Sequence, residues 1–133
     1  MHTPTPAHGL HHIALFAKNF EASIKFYTEV LGMRIEWHPD ENNIYLTSGN
    51  DNFALHRAPT NFHADRFQKL DHIGFIIGDI GGVDVWFDFL TAQQVPIKVP
   101  PRTHRDGARS FYCVDPDGNT IQMIYHPPLV GKY

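Results

Sequence analysis

Two histidines stand at matching places in two similar halves of this chain. His12 heads the run His12-Ile13-Ala14-Leu15-Phe16, and His72 heads His72-Ile73-Gly74-Phe75-Ile76. They lie 72 − 12 = 60 residues apart in a chain of 133. Imidazole ligates divalent metals and moves protons near neutral pH, and the chain holds 10 histidines. A single strand histidine is most often an ordinary surface or core residue. The same histidine opening the same apolar run twice points instead to one site built between two copies of a module.

The elements that must hold these histidines can be read in parallel. Residues 11–17 and 71–77 are short apolar runs, as strands are. In the first half Asn19 is placed to cap a helix, and Phe20, Ile24, Tyr27 and Leu31 recur as one helical stripe. Gly32 follows where a helix C-terminus favours a left-handed residue. Strands are predicted at Arg34–Trp37, Asn43–Thr47 and Asn52–Arg57, with turns at Pro39-Asp40 and over 48–51. The second half repeats the order. Asp79 is a candidate cap, and Val83, Phe87 and Leu90 form the stripe. Strands are predicted at Ile97–Val99, Arg109–Val114 and Asn119–Tyr125, the last two joined by the turn Asp115-Pro116-Asp117-Gly118. Residues 62–69 suit a linker or short helix, and the two ends of the chain read as surface tails.

Each half is thus a βαβββ unit with a helix on one face of its sheet. The predicted fold class is α+β: two pseudo-symmetric βαβββ modules forming an eight-stranded, incompletely closed cup, within residues 10–126. His12, Ala14 and Phe16 share one strand face, as do His72, Gly74 and Ile76, while Ile13 and Leu15 take the other. If the purely apolar faces pack on the helices, both histidines point into the cup. The cup can form within one chain or by exchange between two. Sheet edges in need of cover predict a homodimer.

Composition removes several functions. With 11 Lys+Arg against 14 Asp+Glu the net charge is −3, which gives no electrostatic footprint for nucleic acid or an anionic membrane. No apolar run is long enough to span a bilayer. Cys113 is the single cysteine, so no intrachain disulfide forms and a reducing, cytoplasmic setting is expected.

The motifs together resemble the glyoxalase / bleomycin-resistance / extradiol-dioxygenase superfamily, also called the vicinal oxygen chelate proteins. The carriers are His12-Ile13-Ala14-Leu15, Phe26-Tyr27 with Val30-Leu31-Gly32-Met33, Asp71-His72-Ile73-Gly74-Phe75, and Phe111-Tyr112 with Asp115-Pro116-Asp117-Gly118-Asn119 and Ile121. The resemblance spans His11 to about His126. It implies metal ligation by His12 and His72. The family's next ligand position falls on Ala54, which cannot ligate; His56, two residues on and on the same face, is a substitute or a substrate contact. The last position, commonly Glu, is Gln122, whose neutral amide oxygen still suits a divalent ion beside two imidazoles. Tyr112, ten residues before Gln122, resembles the substrate-contacting tyrosine of the extradiol enzymes, and His104 resembles their loop histidine.

Two function classes follow from the resemblance. The first is an enzyme that uses a divalent metal (Fe²⁺, Mn²⁺, Ni²⁺ or Zn²⁺) on a small oxygenated substrate, with dioxygenase-like or lyase/isomerase-like chemistry. The second is a metal-free protein that binds a small ligand in the same cup, as bleomycin-resistance proteins do. The placed cup residues are His, Gln and apolar types, which disfavours a cationic drug.

Overall fold

The computed structural model describes residues 12–63 and 70–127. Most of the 62–69 linker and the two tails, with His2, His8 and His11, lie outside the described residues.

Eight strands form two four-stranded sheets. In the first half β1 (His12–Ala17) is followed by α1 (Phe20–Lys25), which continues as a wider π-type segment over Phe26–Val30. Then come β2 (Arg34–Asp40), β3 (Asn43–Thr47) and β4 (Asn52–Arg57). In the second half β5 (Ile73–Ile76) leads through α2 (Ile80–Ala92) to β6 (Ile97–Thr103), β7 (Arg109–Val114) and β8 (Thr120–Tyr125). The strand orders are β1-β4-β3-β2 and β5-β8-β7-β6. In each sheet the opening strand pairs in parallel with the closing one, and the other pairings are antiparallel. The α+β fold of two pseudo-symmetric βαβββ modules, open rather than closed into a barrel, is therefore observed.

The differences from the sequence reading have local causes. β2 and β6 run past their predicted ends, through Pro39 and through Pro100-Pro101. Both are edge strands with irregular register at those points, where a missing N–H removes no necessary bond. The first turn accordingly falls at Glu41-Asn42, not at Pro39-Asp40. Asn19 does not cap α1 with its side chain; its amide donates to Asp117 Oδ1 at 3.0 Å and to the Pro116 carbonyl at 3.2 Å. Asp79 does cap α2, accepting from Gly82 N at 2.8 Å. Gly32 is left-handed, at φ +78.

The apolar faces bury as the alternation requires. Ile44, Leu46 and Leu55 of the first sheet are buried, as are Phe111, Cys113 and Ile121 of the second. Burial, then the Asp115 charge, pushes the Cys113 thiol up to about 12, so it is a core group and not a nucleophile. The modules meet around α1. The Tyr27 ring packs 4.6 Å from Phe53 and 6.4 Å from Phe75, one residue from each sheet. Its hydroxyl donates to Asp115 Oδ2 at 2.7 Å. The 115–118 turn thus also fastens the second module to the helix of the first, with Asp117 holding Asn19 and Ser23.

The faces opposite the helices stay bare. His12, Ala14 and Phe16 are exposed, as are His72, Gly74 and Ile76. The two histidines therefore lie on the predicted strand faces, with His72 one residue before β5 begins.

Candidate functional site

Each module carries a histidine, a tyrosine from its third strand and a residue of its last strand in one small group. In the second module the His72 ring meets the Tyr112 ring edge-on at 5.4 Å. Tyr112 is the register partner of Gln122, which also pairs with Gly74. Gln122 Nε2 donates to the Tyr112 hydroxyl at 2.9 Å and to Ser110 Oγ at 3.3 Å. Both amide hydrogens are spent on the protein, and the carbonyl oxygen is left. That oxygen lies 3.4 Å from where a Cβ on Gly74 would stand, so it points towards β5.

His104 joins the same group through Ser110, its Nε2 lying 2.9 Å from Ser110 Oγ. Its turn is ordered by His104 N donating to the Ala108 carbonyl at 2.7 Å. His104 and Gln122, with His126, also line an open hollow of about 640 Å³. The contacts thus run from His104 through Ser110 and Gln122 to Tyr112, with His72 against the Tyr112 ring.

In the first module His12 stacks on Tyr45 at 6.5 Å, and Tyr45 is the register partner of Ala54. Ala54 is fully buried and offers no ligand. His56 lies edge-on to Tyr45 at 6.1 Å on this same face. Among the described residues no hydrogen bond or ring contact joins the His12 group to the His72 group.

The hydrogen bonds set the tautomers of both histidines. Asn52 gives its amide hydrogen to Glu36, so its oxygen faces His12 Nδ1, 2.5 Å away. His72 Nδ1 lies 2.6 Å from Asp71 Oδ2. Each Nδ1 therefore carries a proton, and in the neutral ring each Nε2 presents a lone pair. An imidazole anchored through its other nitrogen is the usual arrangement of a metal-ligating histidine. The donor chemistry of His12, His72 and Gln122 fits a divalent cation: two neutral imidazoles and one oriented amide oxygen.

Sequence reasoning missed Asn52, Glu36, Asp71, Ser110 and Tyr45. Two of these were within reach of simple signals. Asp71 is the immediate neighbour of His72, and Ser110 shares the alternating face of Tyr112. Asn52 and Tyr45 required strand register, which spacing alone does not give.

Comparison with known proteins agrees with this architecture. The profile of the Glyoxalase/Bleomycin resistance protein/Dioxygenase superfamily matches residues 9–123. The chain belongs to that superfamily. It is 29% identical over 116 residues to the metallothiol transferase FosB of Staphylococcus haemolyticus, covering 86% of this chain and 81% of the relative. A lactoylglutathione lyase structure from Agrobacterium tumefaciens shares the fold with a TM-score of 0.75 at 21% identity, over 91% of this chain and 96% of that one. TioX from Micromonospora sp. ML1 superposes with a TM-score of 0.71 at 17% identity, over 89% of this chain and 98% of that one. Among the described residues no helix is long and apolar enough to cross a membrane.

Proposed function

We propose that this protein is a divalent-metal-dependent enzyme acting on a small oxygenated substrate, with His12, His72 and Gln122 as metal ligands. The observation that carries the reading is the state of Gln122, whose amide hydrogens are both taken by Tyr112 and Ser110 while its oxygen has no donor among the described residues. When bound, the ion supplies Lewis acidity to a substrate bearing neighbouring oxygens. Iron, manganese, nickel and zinc all suit imidazole with a neutral oxygen.

The chain's own residues do the rest. Tyr112 accepts from Gln122, so its own O–H is available to donate to a substrate oxygen on which charge develops. His104, held by Ser110 at the rim of the hollow, is placed to relay a proton between that group and solvent. Dioxygenase-like and lyase/isomerase-like chemistry both use such a set. The relative named as a metallothiol transferase adds group transfer to the same class.

The active form is a homodimer in this proposal. The histidine faces of both sheets are bare, with Phe16 54%, Trp37 59% and Ile76 45% exposed. A second copy that brings its second module opposite the first completes the cup, with the substrate held between the two faces. A reducing, cytoplasmic setting suits Cys113, which is buried and unpaired.

The test is titration of untagged protein with Mn²⁺, Fe²⁺, Ni²⁺ and Zn²⁺. Saturable binding is expected, lost in His72→Ala and tightened in Gln122→Glu, which restores a carboxylate. Asp71→Ala and Asn52→Ala should each weaken it by about 10–100-fold, since anchors of ligating histidines contribute on that scale. No saturable binding in the wild type and none gained in Gln122→Glu would leave the metal-free ligand binder as the better account.

A further inference from the structure

The bare face of the first sheet holds a second anchored histidine that the metal reading does not use. Asn43 Nδ2 donates to both oxygens of Asp40, at 2.8 and 3.0 Å. That bond holds the Asp40 carboxyl below its ordinary value, so the group is ionised and only accepts. An amide whose nitrogen is pinned in this way turns its oxygen outward, and that oxygen lies 2.6 Å from His56 Nδ1. His56 Nδ1 therefore carries a proton, and in the neutral ring Nε2 is a lone pair. Among the described residues no donor is bonded to it.

What surrounds this acceptor is aromatic. Phe16 and Tyr45 stand edge-on to the His56 ring, at 6.3 and 6.1 Å. Phe62 packs on Phe16 at 5.5 Å, and Trp37 stacks on Tyr45 at 5.2 Å with 24° between the planes. Phe16 and Trp37 are more than half exposed. The result is a strip of ring faces and edges with one fixed imidazole in it, an acceptor at Nε2 in its neutral form. Such a strip holds another ring by offset and edge-on packing. Its acceptor selects for a donor, because an O–H or N–H satisfies Nε2 where an ether or a bare ring edge leaves it unpaired.

We propose that this face binds a planar aromatic ring carrying a hydroxyl group, the ring packed against Phe16, Tyr45 and Trp37 and the hydroxyl donating to Nε2 of His56. This deepens the small-substrate reading above but rests on no metal, so the two can fail separately. The competing occupant is a second copy packed flat against this face, with no ligand space between. An apolar strand laid over this face would bury His56 Nε2 without a donor.

The experiment titrates the full chain, in excess chelator, with p-cresol and with 4-methylanisole, following backbone amide shifts by NMR. Saturable shifts clustered at Phe16, Tyr45 and His56 are expected. The phenol should bind about 3- to 10-fold more tightly than its methyl ether, the scale of one net hydrogen bond. His56→Phe keeps a ring at that place and removes the acceptor, so the preference should vanish while both probes still bind. Asn43→Leu frees the ring of His56 and should reduce the preference independently. Equal affinity for the two probes in the wild type would overturn the proposal. So would a preference that survives in both variants, shifts confined to the second sheet, or self-association that excludes both probes.

Discussion

Ala54 and Gln122 occupy the same place in two copies of one unit. Ala54 is the register partner of Ala14, two residues after His12, and Gln122 is the partner of Gly74, two residues after His72. Their neighbours correspond as well: Tyr45 pairs with Ala54 and Tyr112 with Gln122. One module therefore carries His–Tyr–Ala and the other His–Tyr–Gln. In the second, the amide draws Tyr112 and Ser110 into a hydrogen-bonded group and leaves an oxygen to present. In the first, the alanine leaves Tyr45 to stack between His12 and Trp37, and the face becomes aromatic. At this one register position the second module carries a hydrogen-bonding amide where the first carries only a methyl group.

That contrast is most exposed at the two tyrosines. Tyr112→Phe should lower turnover by about 10²–10³, the usual loss when one donor to a developing anion is removed. Metal affinity should not change, and Tyr45→Phe, which keeps its ring, should leave turnover alone. Steady-state rates on an identified substrate, with metal content measured in parallel, decide it. Equal losses in the two variants would erase the division of labour.

A smaller effect tests what the modules share. Burial, reinforced by the Asp115 charge, pushes the Tyr27 phenol far up, so it remains a neutral donor to Asp115. Tyr27→Phe should cost about 1.5–3 kcal/mol, the range for a buried bond to a charged group. Denaturant unfolding should show one transition moved to lower midpoint. An unmoved midpoint would mean that the modules are held together mainly by other contacts.

The smallest effect compares two arginine clips. Arg57 bonds Glu21 of α1 at 2.5 Å, and Arg109 bonds Asp84 of α2 at 2.7 and 2.8 Å. Each arginine holds its carboxyl below the ordinary value, 4.5 for Glu21 and 3.8 for Asp84. A lowered folded value means that the stabilisation is complete above the ordinary value and is lost as pH falls through the lowered one. Thermal unfolding between about pH 7 and pH 3 should therefore fall less steeply in Asp84→Asn and in Glu21→Gln than in the wild type. These are solvent-exposed pairs, so the change should be slight at neutral pH. Curves that match the wild type throughout would show that neither clip contributes.

Much of this molecule was legible before folding was considered. The repeat of His12 and His72, the helical stripes and the 115–118 turn fixed two βαβββ modules, because hydrophobic period and turn chemistry are local properties. The exposed face of each opening strand followed once the purely apolar face was set against the helix. Strand ends at Pro39 and Pro100-Pro101 did not, since whether a proline is tolerated depends on whether its strand lies at an edge, and edge position is set by the sheet. Nor did the state of the site. That Asn52, Asp71 and Asn43 fix the protons of His12, His72 and His56, or that Ser110 and Tyr112 turn the Gln122 oxygen free, depends on which side chains become neighbours across strands. Sequence determined which residue types each face carries; only the tertiary structure decided which atoms of those residues are spent and which remain open, because hydrogen bonds between strands follow register and not spacing along the chain.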